Sequence, residues 1–264
     1  MQYGIVNGQR LEAAPGLKGE CPLCGRPILA RCGQLRVWHW AHKGSQGCDP
    51  WARAETAWHR NWKAQFPTDW REVIHNGAGE RARHIADVRT PHGLVLEFQH
   101  SHLSIAEQRE REAFYGNMVW VVDGTRPKGA LGTFLHWQWS FRPTHLDGIL
   151  ASDIPERCFQ AAWVRSSVIV AFDFAGADNQ KPDDELWCLF PGRVRRHALA
   201  APLPRRELIR MAHEQSFIYE TTGIMALVED HFRAQEAQWF GHPPPYLRST
   251  PVSQCAGLVQ RVSH

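Results

Sequence analysis

Residues 84–100, HIADVRTPHGLVLEFQH, constrain the fold more than any other stretch of this 264-residue chain. Two short runs of mostly apolar residues flank the turn formers Pro91, His92 and Gly93, so the segment reads as a β-hairpin. A three-residue loop over 91–93 pairs Thr90 with Leu94 and sets Asp87 opposite Glu97. Opposed residues point to one face with Cβ atoms about 4.5–5.5 Å apart. Gln99, two residues further on, shares that face. The other face carries Ala86, Val88, Leu94, Leu96 and Phe98 and reads as core. Two carboxylates facing each other repel unless one is protonated or a cation bridges them. The bland alternative is an exposed hairpin with ordinary polar residues on its wet face.

The flanking segments supply a frame for this hairpin. DPWARAETAWHRNWKAQF, residues 49–66, reads as a helix with Asp49 as N-cap, Pro50 at its first position and Pro67 as its stop. Trp51, Trp58 and Trp62 then fall on one stripe, and Glu55, His59 and Lys63, spaced i, i+4, i+8, run along its edge. REVIH at 71–75 reads as a strand. After the hairpin, Ser104 and Glu107 form a capping box for a helix that runs to about Tyr115 and stops at Gly116. MVWVVDG is apolar throughout, as a parallel strand buried on both faces should be. Residues 49–124 therefore give helix, three strands, helix, strand, an α/β arrangement. Beyond 125, FLHWQWSF, AAWVRSSVIVAFDF and LWCLF read as strands, and RRELIR to about residue 235 as one or two helices. Residues 125–240 are thus an α+β extension, either a second domain or a continuation of the same sheet, and 241–264 read as a flexible tail.

Residues 1–48 read as a small loop-rich module dense in Gly, Pro, Cys and His. Cys21-x2-Cys24 followed by His39-x2-His42 offers four zinc-competent ligands. A structural Zn²⁺ would staple a segment too short and polar to hold a core of its own. Cys48 or Cys32 can stand in for one histidine, and a metal-free loop with free thiols is the alternative. Seven cysteines, an odd number, argue for metal binding over a disulfide framework and for a reducing, cytoplasmic setting. No apolar run reaches the roughly 20 residues that cross a bilayer, so no membrane is expected. The net charge of +3 names no partner. Residues 1–63, however, hold nine Lys/Arg against four Asp/Glu, with Trp38, Trp40, Trp51, Trp58 and Trp62 interleaved. Cations between aromatic faces suit a polyphosphate with exposed bases, the alternative being a solvated basic face over an aromatic core. GRVRRHALAAPLPRRELIR offers six arginines for a nucleic-acid backbone or, again, a solvated face.

Asp-x9-Glu-x-Gln on a hairpin, between a Glu-bearing helix and a helix with a buried strand, resembles the restriction-endonuclease-like nuclease fold. The sequence CPLC, HWAH, Glu55/His59/Lys63, DV at 87–88, EFQHS, RERE…Y and VWVV, in that order, is similar to the competence protein CoiA-like family over residues 21 to about 123. The resemblance implies a restriction-endonuclease-like core at 49–124 behind an N-terminal zinc knuckle. It implies that Asp87, Glu97 and Gln99 form the nuclease motif, completed by Glu55 and His59. Asp87, Glu97 and Glu55 would hold Mg²⁺ or Mn²⁺, hard ions that prefer oxygen. Gln99 stands where that superfamily carries lysine, an exchange the CoiA-like family accepts. An amide brings no positive charge, so Lys63, or failing it His59, has to supply one to the reacting phosphate. The expectation is hydrolysis of DNA phosphodiesters, in DNA uptake and recombination or in defence against foreign DNA, with a homo-oligomer or partner protein left open. Two rivals stand beside it: a non-catalytic zinc-containing nucleic-acid-binding module of a larger complex, and a nuclease whose catalytic histidines are those of VWHWAH.

Overall fold

The computed structural model describes residues 1–44, 48–77, 83–175, 184–214 and 217–239; the expected tail over 241–264 lies outside the described residues. The first 42 residues form an antiparallel sheet. Its strands are β1 (Tyr3–Val6), β2 (Gln9–Glu12), β3 (Lys18–Glu20), β4 (Pro27–Arg31) and β5 (His39–His42), in the order β2-β1-β3-β4-β5. The module is therefore organised around five strands where loop was expected. Its small core of Ala13, Leu23, Ile28 and Trp40 packs against Ile74 and Ile85 of the main sheet.

A long helix over 49–66 is not what forms. Helix α1 spans only Ala57–Lys63, capped by Thr56, with the reciprocal Thr56–His59 capping box at its start. Asp49 caps only an isolated turn: its Oδ1 accepts the Trp51 N–H at 2.9 Å, while the same carboxylate accepts the Ile85 N–H at 3.0 Å and contacts His84 Nδ1 at 2.8 Å. Trp51 consequently leaves the helical stripe and stacks on His84, with ring centroids 3.3 Å apart. Trp58 and Trp62 remain on α1 and face Phe98.

The hairpin forms in the expected register. Strands β6 (Arg71–Asn76), β7 (Arg83–Arg89) and β8 (Val95–Gln99) are antiparallel neighbours. Thr90 N–H donates to the Leu94 carbonyl at 2.9 Å, and Gly93 closes the turn with φ 88°, a conformation glycine adopts without steric cost. Helix α2 (Ile105–Tyr115) starts at Ser104, whose hydroxyl accepts the Glu107 N–H, and ends at Gly116 with φ 65°. It returns the chain to β9 (Met118–Asp123), parallel to β8 and buried at all six positions.

FLHWQWSF is helical rather than extended: α3 (Ala130–Trp137) runs into a 3-10 turn over Gln138–Ser140. Then follow β10 (Arg142–Pro143), β11 (Leu150–Ser152), α4 (Ala161–Val164), β12 (Ile169–Asp173), β13 (Glu185–Leu189), β14 (Ala198–Pro204), α5 (Arg205–Glu214) and α6 (Phe217–Trp239). Every described strand of the second half joins the sheet of the first, in the order β10-β11-β14-β13-β12-β9-β8-β7-β6. One face buries Trp58, Trp62 and Phe66 with Leu208, Met211, Ile224 and Val228, so α1, α5 and α6 cover it. The other buries Trp120, Val170 and Phe172 with Tyr115, Phe134 and Trp163, so α2, α3 and α4 cover that side. The chain is a mixed α/β protein with two sheets.

Candidate functional site

Two clusters of functional side chains lie side by side. The first is the cysteine–histidine group of the N-terminal module. Cys21 and Cys24 sit in the turn between β3 and β4, where Gly25 takes φ 72° and donates to the Cys21 carbonyl at 2.8 Å. His42 ends β5, and Cys48 follows it. The ligand atoms of Cys21, Cys24, His42 and Cys48 all lie within 4.8 Å of one another. Cys21 Sγ is 3.5 Å from Cys48 Sγ, and Cys24 Sγ is 3.3 Å from His42 Nε2. A tetrahedral zinc with ordinary bond lengths would set such atoms roughly 3.6–3.8 Å apart. This donor set fits a closed structural zinc site. His39 is not in it. Three residues apart on a strand, His39 and His42 point to opposite faces; His39 Nδ1 instead lies 2.9 Å from the Val37 carbonyl. Cys48 takes the fourth position.

The second cluster lines a cleft of about 250 Å³ between the small module and the main sheet. Glu55, His59, Lys63, Asp87, Glu97 and Gln99 all border it, as do His39, Glu72 and Arg111. Its floor is a local break in the sheet. In the β6–β7 register Glu72 falls opposite Asp87, but the ladder skips that pair, and Glu72 takes φ 46°, strained for a residue with a side chain. The β7–β8 ladder likewise stops at Val88 and Leu96. Side chains replace the missing bonds: Asp87 N–H donates to Glu97 Oε1 at 3.2 Å, and Phe98 N–H donates to Asp87 Oδ2 at 2.9 Å. The two acids therefore turn toward each other where the backbone is splayed.

Charge is unbalanced there. Burial, then the Asp87 carboxylate, pushes the Glu97 carboxyl up to about 8, although Arg111 Nη1 lies 3.0 Å from its Oε2. Arg111 is itself anchored by the Trp51 carbonyl at 2.8 Å and Glu107 at 2.6 Å. Lys63, fully buried, reaches Glu72 at 2.9 Å and touches Glu55. Burial alone would lower its pKa; facing Glu72 and Glu55, with Asp87 beyond, outweigh burial and keep it charged. Glu72 also accepts the N–H groups of Gln2 and Tyr3, tying the small module to the cleft. Despite its ion pairs with Lys63 and Arg60, neither Glu55 oxygen completes an aligned hydrogen bond, and both are buried. His59 Nδ1 lies 2.8 Å from Thr56 Oγ1, and burial lowers its pKa. Gln99 donates its amide to the Ser101 carbonyl at 2.6 Å.

These donors are hard oxygens around an excess of buried negative charge, a setting that suits Mg²⁺ or Mn²⁺. They do not close as tightly as the sulfur–nitrogen group: among the described residues only that group brings three or more ligand atoms within 4.8 Å. Sequence reasoning did not find Glu72, which looks like any polar residue of an amphipathic strand until its broken register is seen. Arg111, the second arginine of the RERE…Y segment, holds Glu97. Four arginines of the 192–210 segment are spent internally: Arg193 pairs with Glu156, Arg195 with Glu229, Arg205 with Asp173 and Arg210 with Glu207.

The fold and site thus define a mixed α/β protein whose N-terminal module, bearing a Cys3His cluster able to hold a metal ion, is docked over an acidic cleft. Residues 15–50, which hold all four clustered ligands, match the family model described as competence protein CoiA, N-terminal domain. Comparison with curated proteins and with solved structures returned no match. Among the described residues, no helix is long and apolar enough to cross a membrane.

Proposed function

We propose that this chain is a divalent-metal-dependent deoxyribonuclease built on a restriction-endonuclease-like core. The observation that carries the reading is the meeting of Glu55, His59, Lys63, Asp87, Glu97 and Gln99, from α1, its leading loop and two strands, in one cleft. Asp87 and Glu97 would hold Mg²⁺ or Mn²⁺, with Glu55 as a further ligand or a holder of water. A metal held there would acidify a water and offset charge developing on a phosphate oxygen. Lys63, kept protonated by its two carboxylates, supplies the fixed positive charge that Gln99 cannot. Gln99 and Lys63 position the scissile phosphate and attacking water, and His59, held by Thr56, supports them from α1.

Replacing Asp87 with Asn keeps an oxygen for the Phe98 N–H but removes the charge. Mn²⁺-dependent cleavage of plasmid, linear and single-stranded DNA should fall by about 100-fold or more, with zinc content and circular dichroism unchanged. Cleavage unaffected by D87N overturns the assignment. The rival is a non-catalytic nucleic-acid-binding module. It is favoured by one observation, that both Glu97 oxygens are already engaged, by Asp87 N–H and Arg111. Retained binding without cleavage under any divalent ion would select it.

A further inference from the structure

A second cavity, of about 560 Å³, opens at the carboxyl ends of the parallel strands β8, β9 and β12. Its volume lies within the roughly 300–1,000 Å³ of sites that enclose a small organic group. The inner wall is aromatic: Phe159, Trp163 and Phe172 line it, and Phe159 stacks on Phe172 with ring centroids 4.4 Å apart. Among the described residues the rim carries two free cations, while Glu156, which also lines it, is paired with Arg193. Arg126 and Lys128 follow β9 on an exposed loop and have no ion-pair partner among the described residues. Asp123, the acid of the interior, is already taken, its carboxylate lying 2.7 Å from His100 Nδ1 and accepting the Thr125 hydroxyl at 2.6 Å. The cavity therefore offers flat apolar faces within and unpaired positive charge at the mouth.

Its position relates it to the first cleft. Gln99 and Ser101 border both cavities. His100, between them, lies ring to ring 5.7 Å from His59 of the first.

We propose that this cavity receives one unpaired nucleotide of the same strand whose phosphodiester enters the acidic cleft, its base against Phe159 and Phe172 and its phosphate at Arg126 and Lys128. The proposal rests on the nucleic-acid reading of the cleft and narrows it to single strands or frayed ends. Aromatic walls accept any base, because every base has a π-face. A blunt duplex keeps its bases stacked and paired and has to extrude one to fill the cavity.

The test is fluorescence anisotropy with a short labelled single strand and its blunt duplex, without added Mg²⁺ or Mn²⁺, so that binding is read apart from cleavage. Two variants perturb different walls. R126E/K128E reverses the rim, and T133W fills the cavity from an exposed position on α3. Each should weaken single-strand binding by about tenfold or more while duplex binding stays within about twofold, zinc content and circular dichroism being unchanged. Equal loss for both DNA forms, no loss with T133W, or wild-type protein without preference for the single strand overturns the proposal. The two readings fail separately. A protein that cleaves DNA without single-strand preference loses only the cavity assignment, and one that holds single strands through the cavity yet cuts nothing loses only the nuclease.

Discussion

Replacing Glu97 with Gln should make the metal-free protein more stable at alkaline pH, against the usual cost of altering a buried charged group. The folded Glu97 carboxyl is pushed from 4.5 up to about 8 by burial and by Asp87, with Arg111 only partly offsetting them. In the folded state the proton is held until about pH 8, and in the unfolded chain it leaves near 4.5. Stability is therefore fully present below the lower value and is lost as pH rises toward the higher one. At roughly 1.4 kcal/mol per unit, the full loss is on the order of several kcal/mol. A glutamine has no proton to release and removes this slope, while Arg111 keeps Glu107 and the Trp51 carbonyl. Urea unfolding of both proteins from pH 5 to pH 9, in divalent-free buffer that leaves zinc in place, measures the difference. The curves should nearly meet at pH 5, diverge steadily from there to about pH 8 and stay apart above it, and added Mn²⁺ should rescue wild type alone. Parallel pH slopes for wild type and E97Q, or equal stabilisation of both by Mn²⁺, refute the reasoning.

Other expectations follow from the same geometry. Zinc measured by elemental analysis should be lost from C48S and retained by H39A, and its chelation should disorder the module's sheet, because metal affinity and folding are linked. Asp173, wholly buried, accepts the indole N–H groups of Trp58 at 2.9 Å and Trp62 at 2.8 Å and pairs with Arg205 at 3.1 Å. Asp173→Ala leaves the buried Arg205 guanidinium with only the longer contact to Asp184, at 3.7 Å, and two indole N–H groups without an acceptor, and should cost about 3–5 kcal/mol in urea unfolding; a cost below about 1 kcal/mol would deny Asp173 its place in holding α1.

The hairpin register, the capped helix α2 and the buried strand β9 were legible in the sequence because each follows from local rules: turn length, capping chemistry and continuous apolarity. Asp87 and Glu97 could be set face to face on that basis. What escaped depends on distant partners. Asp49 has the look of an N-cap and does accept the Trp51 N–H, yet the same carboxylate also binds Ile85 and His84, far along the chain, and only one turn follows it. His39 and His42 have a ligand-like spacing, but only the strand they occupy reveals that they diverge. FLHWQWSF alternates poorly and is rich in residues that serve either state, and its short helix packs Phe134 against Phe174, with ring centroids 4.3 Å apart, a contact no local rule anticipates. Glu72 carries no signal at all, since its role arises from an interrupted ladder.

Strand β9 has β8 on one side and β12 on the other, and both of its faces are covered by helices. Remove either neighbour and the most apolar segment of the chain becomes an unpaired edge, ready to recruit strands from other molecules. The segment bearing the acidic cleft therefore depends on the segment closing the aromatic cavity for its solubility, because a chain cut between them would expose β9 to intermolecular strand pairing.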